Sequence, residues 1–364
     1  MKLHLYIARR FLFLLAMIFG IFFAFTVLLD LVEQIQRFDD SVGFGMVLEI
    51  TFLNAPEGMY KILPLIVILA SIALFLGLAR SSELVVIRAS GRSGTAVVVA
   101  PAIVAILVAV FAVGVMNPIV AATSKRYEEL RELYRTGGNS VVSIGREGLW
   151  LRQGDEDGQA VIHATRTNPD ATRLYDVSFV MITPEGLPFR RVEADEAELV
   201  PGHWVLRNAT SWPLAPGLNA QTNKTDHTQL RLPSTLTQER IRDSFGTPSA
   251  IPFWELPKYI EELGKAGFSA RRHLVWLNME LSKPIFLLAM VLVAAGFTMG
   301  HSRMGRTGVA VLSAILVGFG LYYVRNFAQI LGENGQVNAY LAAWAPPIAS
   351  NLLALGLILH REES

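Results

Sequence analysis

Six stretches of the chain are uncharged and apolar for long enough to cross about 30 Å of hydrocarbon as a helix. They run from Phe11 to Leu29, from Ile62 to Ala79, within Ser93 to Ser124 (most apolar from Ala96 to Met116), from Pro284 to Gly300, from Thr307 to Val324 with an extension to Ile330, and from Ala339 to Leu359. Backbone groups inside lipid must be satisfied within the segment, so each run predicts a helix. The pattern changes between Ser140 and about Thr235, where short strand-like stretches alternate with turn clusters. Tyr175, Val177, Phe179 and Met181 recur at every second position, which predicts one face of a strand. Strands at this spacing predict an all-β sandwich or jelly roll. The expected fold class is therefore an α+β membrane protein, with six transmembrane helices and a β-jelly-roll domain inserted between the third and fourth. The expected division is 1–137 for the first three helices, 138–250 for the β-domain and 251–364 for interfacial helices and the last three spans.

Two helical pieces flank the β-region. Lys125 to Tyr134 carries interleaved charges and reads as a solvated helix face. Phe253 to Lys265 reads as an amphipathic helix. A further piece with Arg271, Arg272, His273 and Trp276 reads as an interfacial helix leading into Pro284.

Composition agrees with a membrane protein. Of 364 residues, 52% are hydrophobic and 17% charged, and the mean hydropathy is +0.40, whereas soluble domains carry nearer a quarter charged residues. A net charge of +1 argues against a nucleic-acid partner, and the absence of cysteine excludes disulfides and thiol chemistry. The first run follows Arg9 and Arg10 as a signal peptide would, yet its apolar core is longer than a typical signal and no clear small-x-small site follows. It reads as a retained span. Lysine and arginine set the orientation. Lys2, Arg9, Arg10, Arg80, Arg88, Arg92, Arg303, Arg306 and Arg361 fall on one side, against Arg37 and Lys61 in the short loops of the other. Both termini are thus expected in the cytoplasm, with the segment from about Asn117 to Leu281 outside it.

Polar positions near the spans are the candidate lipid contacts. Asp30, Glu33, Gln34 and Arg37 recur at helical spacing at the outer end of the first span, as do Tyr322, Arg325 and Gln329 near the outer end of the fifth. Ionisable groups at membrane depth invite a functional hypothesis, here a border for an anionic head group, with Arg325 suited to phosphate. A structural pairing of Asp30 with Arg325, or snorkelling to the interface, reads the same residues equally well. The apolar face of Tyr175, Val177, Phe179 and Met181 is a candidate acyl path, or simply a filled core. No phosphate-loop, zinc-protease or nucleophile-elbow motif occurs, and the histidines show no metal spacing. An enzyme is not expected, and no metal or cofactor is expected to bind this chain. The spans read as nearly charge-free at their centres, which argues against a secondary transporter. A membrane-anchored scaffold remains a rival.

The loop after the second span reads Ala79-Arg-Ser-Ser-Glu-Leu-Val-Val-Ile-Arg-Ala-Ser-Gly91. Ser81 or Ser82 is a helix cap, Glu83 lies in the first turn and Gly91 ends the segment. Here the sequence resembles the LptF/LptG family of lipopolysaccharide-transport permeases. Ser82 to Gly91 looks like the LptG version of the segment that couples to an ATPase, and Glu147-Gly-Leu-Trp150 looks like the motif opening the β-domain. The order of spans and domain matches too, so the resemblance covers essentially the whole chain; LptF shares the architecture and is the near alternative. The resemblance implies a permease that pairs with its paralogue, with two copies of an LptB-type ATPase holding ATP and Mg, and with an LptC-type protein. It implies extraction of lipopolysaccharide from the inner membrane through β-jelly rolls. It assigns the ATPase contact to Glu83, Leu84, Val85, Ile87, Arg88 and Gly91, with Glu83 expected to face a basic residue of the ATPase. Family members can present a basic residue near Asp30, and its absence here weakens that carry-over.

Overall fold

In the computed structural model, the apolar runs become helices longer than a bilayer is thick. The structure describes residues 1–364 apart from 1, 38–42, 90, 92–94, 137–141, 146–147, 156–157, 168–171, 184–186, 215–222, 235, 238–246, 266–268, 300–306 and 364. The chain divides into two compact units, one of Met1–Tyr127, Ser249–Leu256 and Arg271–Ser364, the other of Glu128–Pro248 and Pro257–Ala270.

The first unit is helical. Its helices are α1 (Lys2–Arg37), α2 (Phe44–Arg80), the short α3 (Glu83–Ala89), α4 (Thr95–Phe111), a π-helical turn at Ala112–Met116 leading into α5 (Asn117–Thr136), α7 (Arg271–Thr298), α8 (Thr307–Glu333) and α9 (Ala339–Glu363); α6 (Leu256–Lys265) separates α5 from α7. Among the described residues, six helices are long and apolar enough to cross a membrane. α1 and α2 have 36 and 37 residues, about 55 Å at 1.5 Å per residue, so both outrun the hydrocarbon. α7 is the hub, packing against α2, α4, α8 and α9. Phe286, Leu287, Met290, Val291, Val293 and Ala294 on it have no exposed surface. α1 lies at the other extreme, with 0% of its most apolar window buried. Leu12, Phe13, Ile21, Phe25 and Leu28 are exposed along it, the surface of a helix that meets lipid or another chain.

Several polar side chains in the spans are satisfied locally, as hydrocarbon favours. Thr51, Ser71, Thr298 and Ser350 each donate to the carbonyl four residues back. Asn351 donates at 2.8 Å to both Pro347 and Ile285, tying α9 to α7 beside the Pro346–Pro347 pair. Glycine sets one close approach. A Cβ on Gly332 would stand 2.7 Å from the Ala342 Cβ and 3.2 Å from Val275. Both neighbours are short side chains without room to swing, so Gly332→Val is expected to destabilise this unit by about 1–3 kcal/mol. The check is its melting in detergent beside Gly308→Val, which has nothing within 4 Å.

The sequence reading opened the fourth span at Pro284 and treated Arg271 to Trp276 as a separate interfacial helix. α7 instead runs unbroken from Arg271 to Thr298. Pro284 sits inside it, where a missing N–H costs one helix bond without ending the helix.

Among the described residues, the second unit holds one antiparallel sheet of seven strands in sequence order. They are β1 (Val142–Gly145), β2 (Gly148–Asp155), β3 (Gly158–Thr167), β4 (Arg173–Ile182), β5 (Pro188–Val200), β6 (His203–Pro213) and β7 (Thr225–Pro233). This is the α+β membrane architecture expected from the pattern. The β5–β6 hairpin closes from Val200 to His203, with Pro201 and then Gly202 at φ +82, the pair that a type II turn requires. One side of the sheet packs into a core of Leu149, Leu151, Ile162, Leu174, Val177, Phe179, Val192, Trp204 and Leu206. Phe179 meets Trp204 edge-on at 6.1 Å between centroids. The same core takes in Leu263 and Tyr259 of α6, whose amphipathic face is thereby accounted for.

A kink crosses three strands. Buried positions step by three rather than two from Leu174 to Val177, from Ala194 to Ala197 and from Leu206 to Ala209. Asp176 and Asn208 sit at the break with φ of 52 and 51, and Asn208 Nδ2 donates to Asp195 Oδ2 at 3.0 Å. Asp and Asn tolerate this left-handed conformation better than other non-glycine residues. The kink overturns one expectation. Tyr175 does not share the face of Val177 and Phe179, because the turn of backbone at Asp176 puts Leu174 in the core in its place. Tyr175 lies instead beneath the Arg166 guanidinium, 5.8 Å from its ring centroid.

Candidate functional site

The loop after α2 forms the short helix expected of it, although the hydrogen bonds of Ser81 run to α2 and to Glu83 rather than to an N–H of that helix. α2 ends at Arg80, the Ser81 backbone N–H donates to the Gly77 carbonyl at 3.0 Å, and Ser82 takes a left-handed φ of 58. For a residue with a Cβ that conformation costs on the order of 1–3 kcal/mol. α3 then runs from Glu83 to Ala89, and Gly91 leaves it at φ +80, as a helix-ending glycine does. Leu84 and Ile87 are buried in the helical unit's main core with Ile7 and Phe11. Val85 and Val86 are 58% and 67% exposed. The exposed apolar ridge of this helix is therefore Val85–Val86. Leu84 and Ile87, expected at a partner's surface, pin the helix to its own unit because residues three apart share a helix face. Val86 was not among the expected contacts. The side chain of Arg88 lies outside the described residues, as do Ser90 and Arg92.

Glu83 has a basic partner in its own chain. Arg10 Nη1 donates to Glu83 Oε1 at 2.8 Å, and Ser81 Oγ donates to the same oxygen at 2.7 Å. Partial burial opposes ionisation of Glu83, but the hydrogen bonds from Ser81 and Arg10 and the Arg10 charge together hold its carboxyl below the ordinary range. A lowered carboxyl pKa means that the network is intact at neutral pH and is lost only as the pH falls through that lowered value.

The two polar stripes face different ways. On α1, Asp30 and Gln34 turn inward and Glu33 outward. Asp30 Oδ1 accepts from Asn54 at 2.8 Å and from Gln34 at 3.4 Å, and Gln34 Nε2 also reaches the Tyr127 hydroxyl at 3.4 Å. The side chain of Arg37 lies outside the described residues. On α8, Tyr322 and Gln329 are half-buried around a buried Arg325, while Tyr323, Val324, Phe327 and Ile330 face out. Arg325 donates to the Met279 carbonyl at 3.1 Å and lies 5.0 Å from the Phe286 ring centroid. It is 7% exposed, so within this chain its guanidinium is held by α7 rather than presented to a ligand. The alternative pairing of Asp30 with Arg325 is replaced by these separate partners.

Sequence reasoning missed a buried polar cluster. Glu280 and Lys283 on α7 are 1% and 4% exposed. Lys283 Nζ donates to both Glu280 oxygens, at 2.8 and 2.9 Å, and stands 3.3 Å from the centroid of Tyr60 on α2. The Tyr60 hydroxyl donates to Glu280 Oε2. The centre of the fourth span is therefore not charge-free, contrary to the expectation used against a secondary transporter. A span beginning at Pro284 leaves this pair in the flank; a span begun at Arg271 would have revealed an i,i+3 pair of opposite charges.

A family model described as "Lipopolysaccharide export system permease LptF/LptG" matches residues 5–360. The chain belongs to the LptF/LptG family of lipopolysaccharide export permeases. Among its relatives is the lipopolysaccharide export system permease protein LptG of Haemophilus influenzae, 24% identical over 346 residues that cover 93% of each chain. The Escherichia coli K12 protein of the same name is 24% identical over 336 residues, covering 88% of this chain and 87% of that one. As an LptF/LptG permease the protein is a multi-pass, non-catalytic membrane subunit.

Within this LptF/LptG chain, the residues expected along a lipid path in the β-domain are mostly packed. Val177 and Phe179 are 1% and 0% exposed, and Met181 lies partly buried against the same core. A groove of about 430 Å³ on the sheet is lined by His163, Asp176, Ser178, Arg191, Glu193 and Asp195 among others. Its walls are too polar for an acyl chain. The motif residue Glu147 lies outside the described residues, while Trp150 stacks on His163 at 4.3 Å.

Proposed function

We propose that this chain is the LptG-type permease of an ATP-driven exporter, working in the bacterial inner membrane with its β-domain in the periplasm. It pairs with an LptF-type paralogue and an LptB-type ATPase dimer that holds ATP and Mg, and it hands lipopolysaccharide towards an LptC-type protein. The observation that carries this reading is α3. A short helix anchored by Leu84 and Ile87 leaves Val85 and Val86 exposed, an apolar ridge that suits a groove on a nucleotide-binding subunit. The charge asymmetry of the loops puts that ridge in the cytoplasm with the ATP. Relatives named LptG at 24% identity support the LptG over the LptF assignment. Co-expression with candidate ATPase and paralogue chains, affinity purification and mass spectrometry of bound protein and lipid test it. Recovery of the ATPase with lipopolysaccharide is expected; a chain purified without any ATPase would leave the scaffold reading.

For the head group, the proposed contacts are Asp30, Tyr322 and Gln329, partly exposed on inward-turned stripes, with Glu33 and Arg37 beside Asp30 on α1. Arg325 is given a structural role. Arg325→Ala is expected to cost about 1–3 kcal/mol through the lost charged hydrogen bond and to leave lipid crosslinking per folded complex unchanged. Crosslinking lost at unchanged melting would return Arg325 to the binding site.

A further inference from the structure

Arg10 and Glu83 are 73 residues apart in the chain, yet one nitrogen of Arg10 bridges Glu83 at 2.8 Å and the Tyr6 hydroxyl at 2.9 Å. Tyr6 and Arg10 lie one turn apart on α1, and Glu83 opens α3. Space for the guanidinium comes from Gly77 in the last turn of α2, where a Cβ would stand 3.2 Å from Arg10 Nη2. α3 is joined covalently to α2, but the joint passes through Ser82 in its left-handed conformation. A joint held in a sparsely populated backbone state stays there only while its surroundings fix it. Arg10 is such a fixing group, and it comes from a different helix. The apolar contacts point the same way, since Leu84 and Ile87 share a core with Ile7 and Phe11 of α1.

We propose that Arg10 is the positioning residue of the ATPase-coupling helix, and that α1, through the Arg10–Glu83 pair, moves with α3 as one body. α1 is one uninterrupted helix from Lys2 to Arg37. A displacement of α3, passed to α1 at Arg10, thus reaches Asp30 at the other end, where head-group contact is proposed. The pair is half in water, with side-chain exposures of 30% and 31%, so its part is orientation rather than global stability. This inference rests on the exporter reading of α3.

The test uses the complete complex of permease pair and ATPase in proteoliposomes, with lipopolysaccharide as cargo. Three quantities are read: ATPase retained on the complex, ATP hydrolysed, and lipopolysaccharide released per ATP. Arg10→Glu is expected to keep the ATPase bound while release per ATP falls about tenfold, within the usual range of coupling between sites. The exchanged pair Arg10→Glu/Glu83→Arg is expected to recover most of that loss. If the exchanged pair does no better than Glu83→Arg alone, the essential partner of Glu83 lies on another subunit and the inference fails. Should Arg10→Glu not assemble, Arg10→Gln removes the charge without reversing it, and full release per ATP in that variant also overturns the proposal. The cysteine-free chain allows a second arm, in which Arg10→Cys/Glu83→Cys is joined by a short bismaleimide. Continued release after crosslinking supports a single moving body; arrest of release with the ATPase still bound shows that the joint must open and overturns it. A wild-type complex that releases no lipopolysaccharide on ATP would remove the exporter reading itself and this inference with it, an outcome distinct from all the others.

Discussion

Lys283→Ala is expected to be the most damaging single substitution in the helical unit, lowering stability by about 3–5 kcal/mol. In the native protein the Glu280 carboxylate accepts two hydrogen bonds from Lys283 and one from Tyr60. The carboxylate has 1% of its side chain exposed. Removing the ammonium leaves that charge inside a helix bundle with the Tyr60 hydroxyl and the nearby Arg325 guanidinium as its remaining company. It also leaves a void where Lys283 covers the Tyr60 ring. Breaking a buried pair costs far more than losing an exposed one, even with Arg325 nearby to offset part of the loss. The drop should appear as a loss of roughly 10 °C in melting temperature, read by fluorescence-detected size exclusion of the detergent-solubilised protein. The double variant Glu280→Gln/Lys283→Met is expected to be milder than Lys283→Ala, because both charges leave together. If the single variant melted with the wild type, or the double variant fared worse, the cluster would not be holding α7 against α2.

That cluster also shows where the sequence was legible and where it was not. Apolar runs announced every span, because lipid permits few backbone solutions. Composition windows, however, treat a charge as a boundary. Glu280 and Lys283 neutralise each other one turn apart, so they sit inside a span that a run-based reading ends before them. The β-domain failed at one residue for a related reason. Alternation assumes one backbone conformation along a strand, and Asp176 at φ 52 breaks it, moving Tyr175 out and Leu174 in. An aspartate between two apolar alternations was the available signal. In α3, Glu83 and Gly91 sit at the two ends as expected, yet the four apolar residues Leu84 to Ile87 could not be sorted by sequence. Helical spacing pairs 84 with 87 and leaves 85 beside 86, but only packing against Ile7 and Phe11 tells which pair faces in.

That sorting leads to the second large effect. Val85→Asp/Val86→Asp is expected to abolish recovery of the ATPase with the permease while leaving the permease itself folded. Both side chains are more than half exposed, so charging them costs the isolated unit little. In a docked complex each carboxylate would be driven into an apolar groove, and losses at the centre of an interface commonly exceed about 2 kcal/mol per residue. Two such losses together weaken association by roughly a thousandfold. Leu84→Asp supplies the contrast. That position is 6% exposed, so its substitution should detach α3 from the unit and lower the melting temperature. Copurification and melting measured on both variants therefore separate docking from folding. Normal ATPase recovery with the doubly charged ridge would mean that the partner is held elsewhere, and α3 would lose its place as the coupling element.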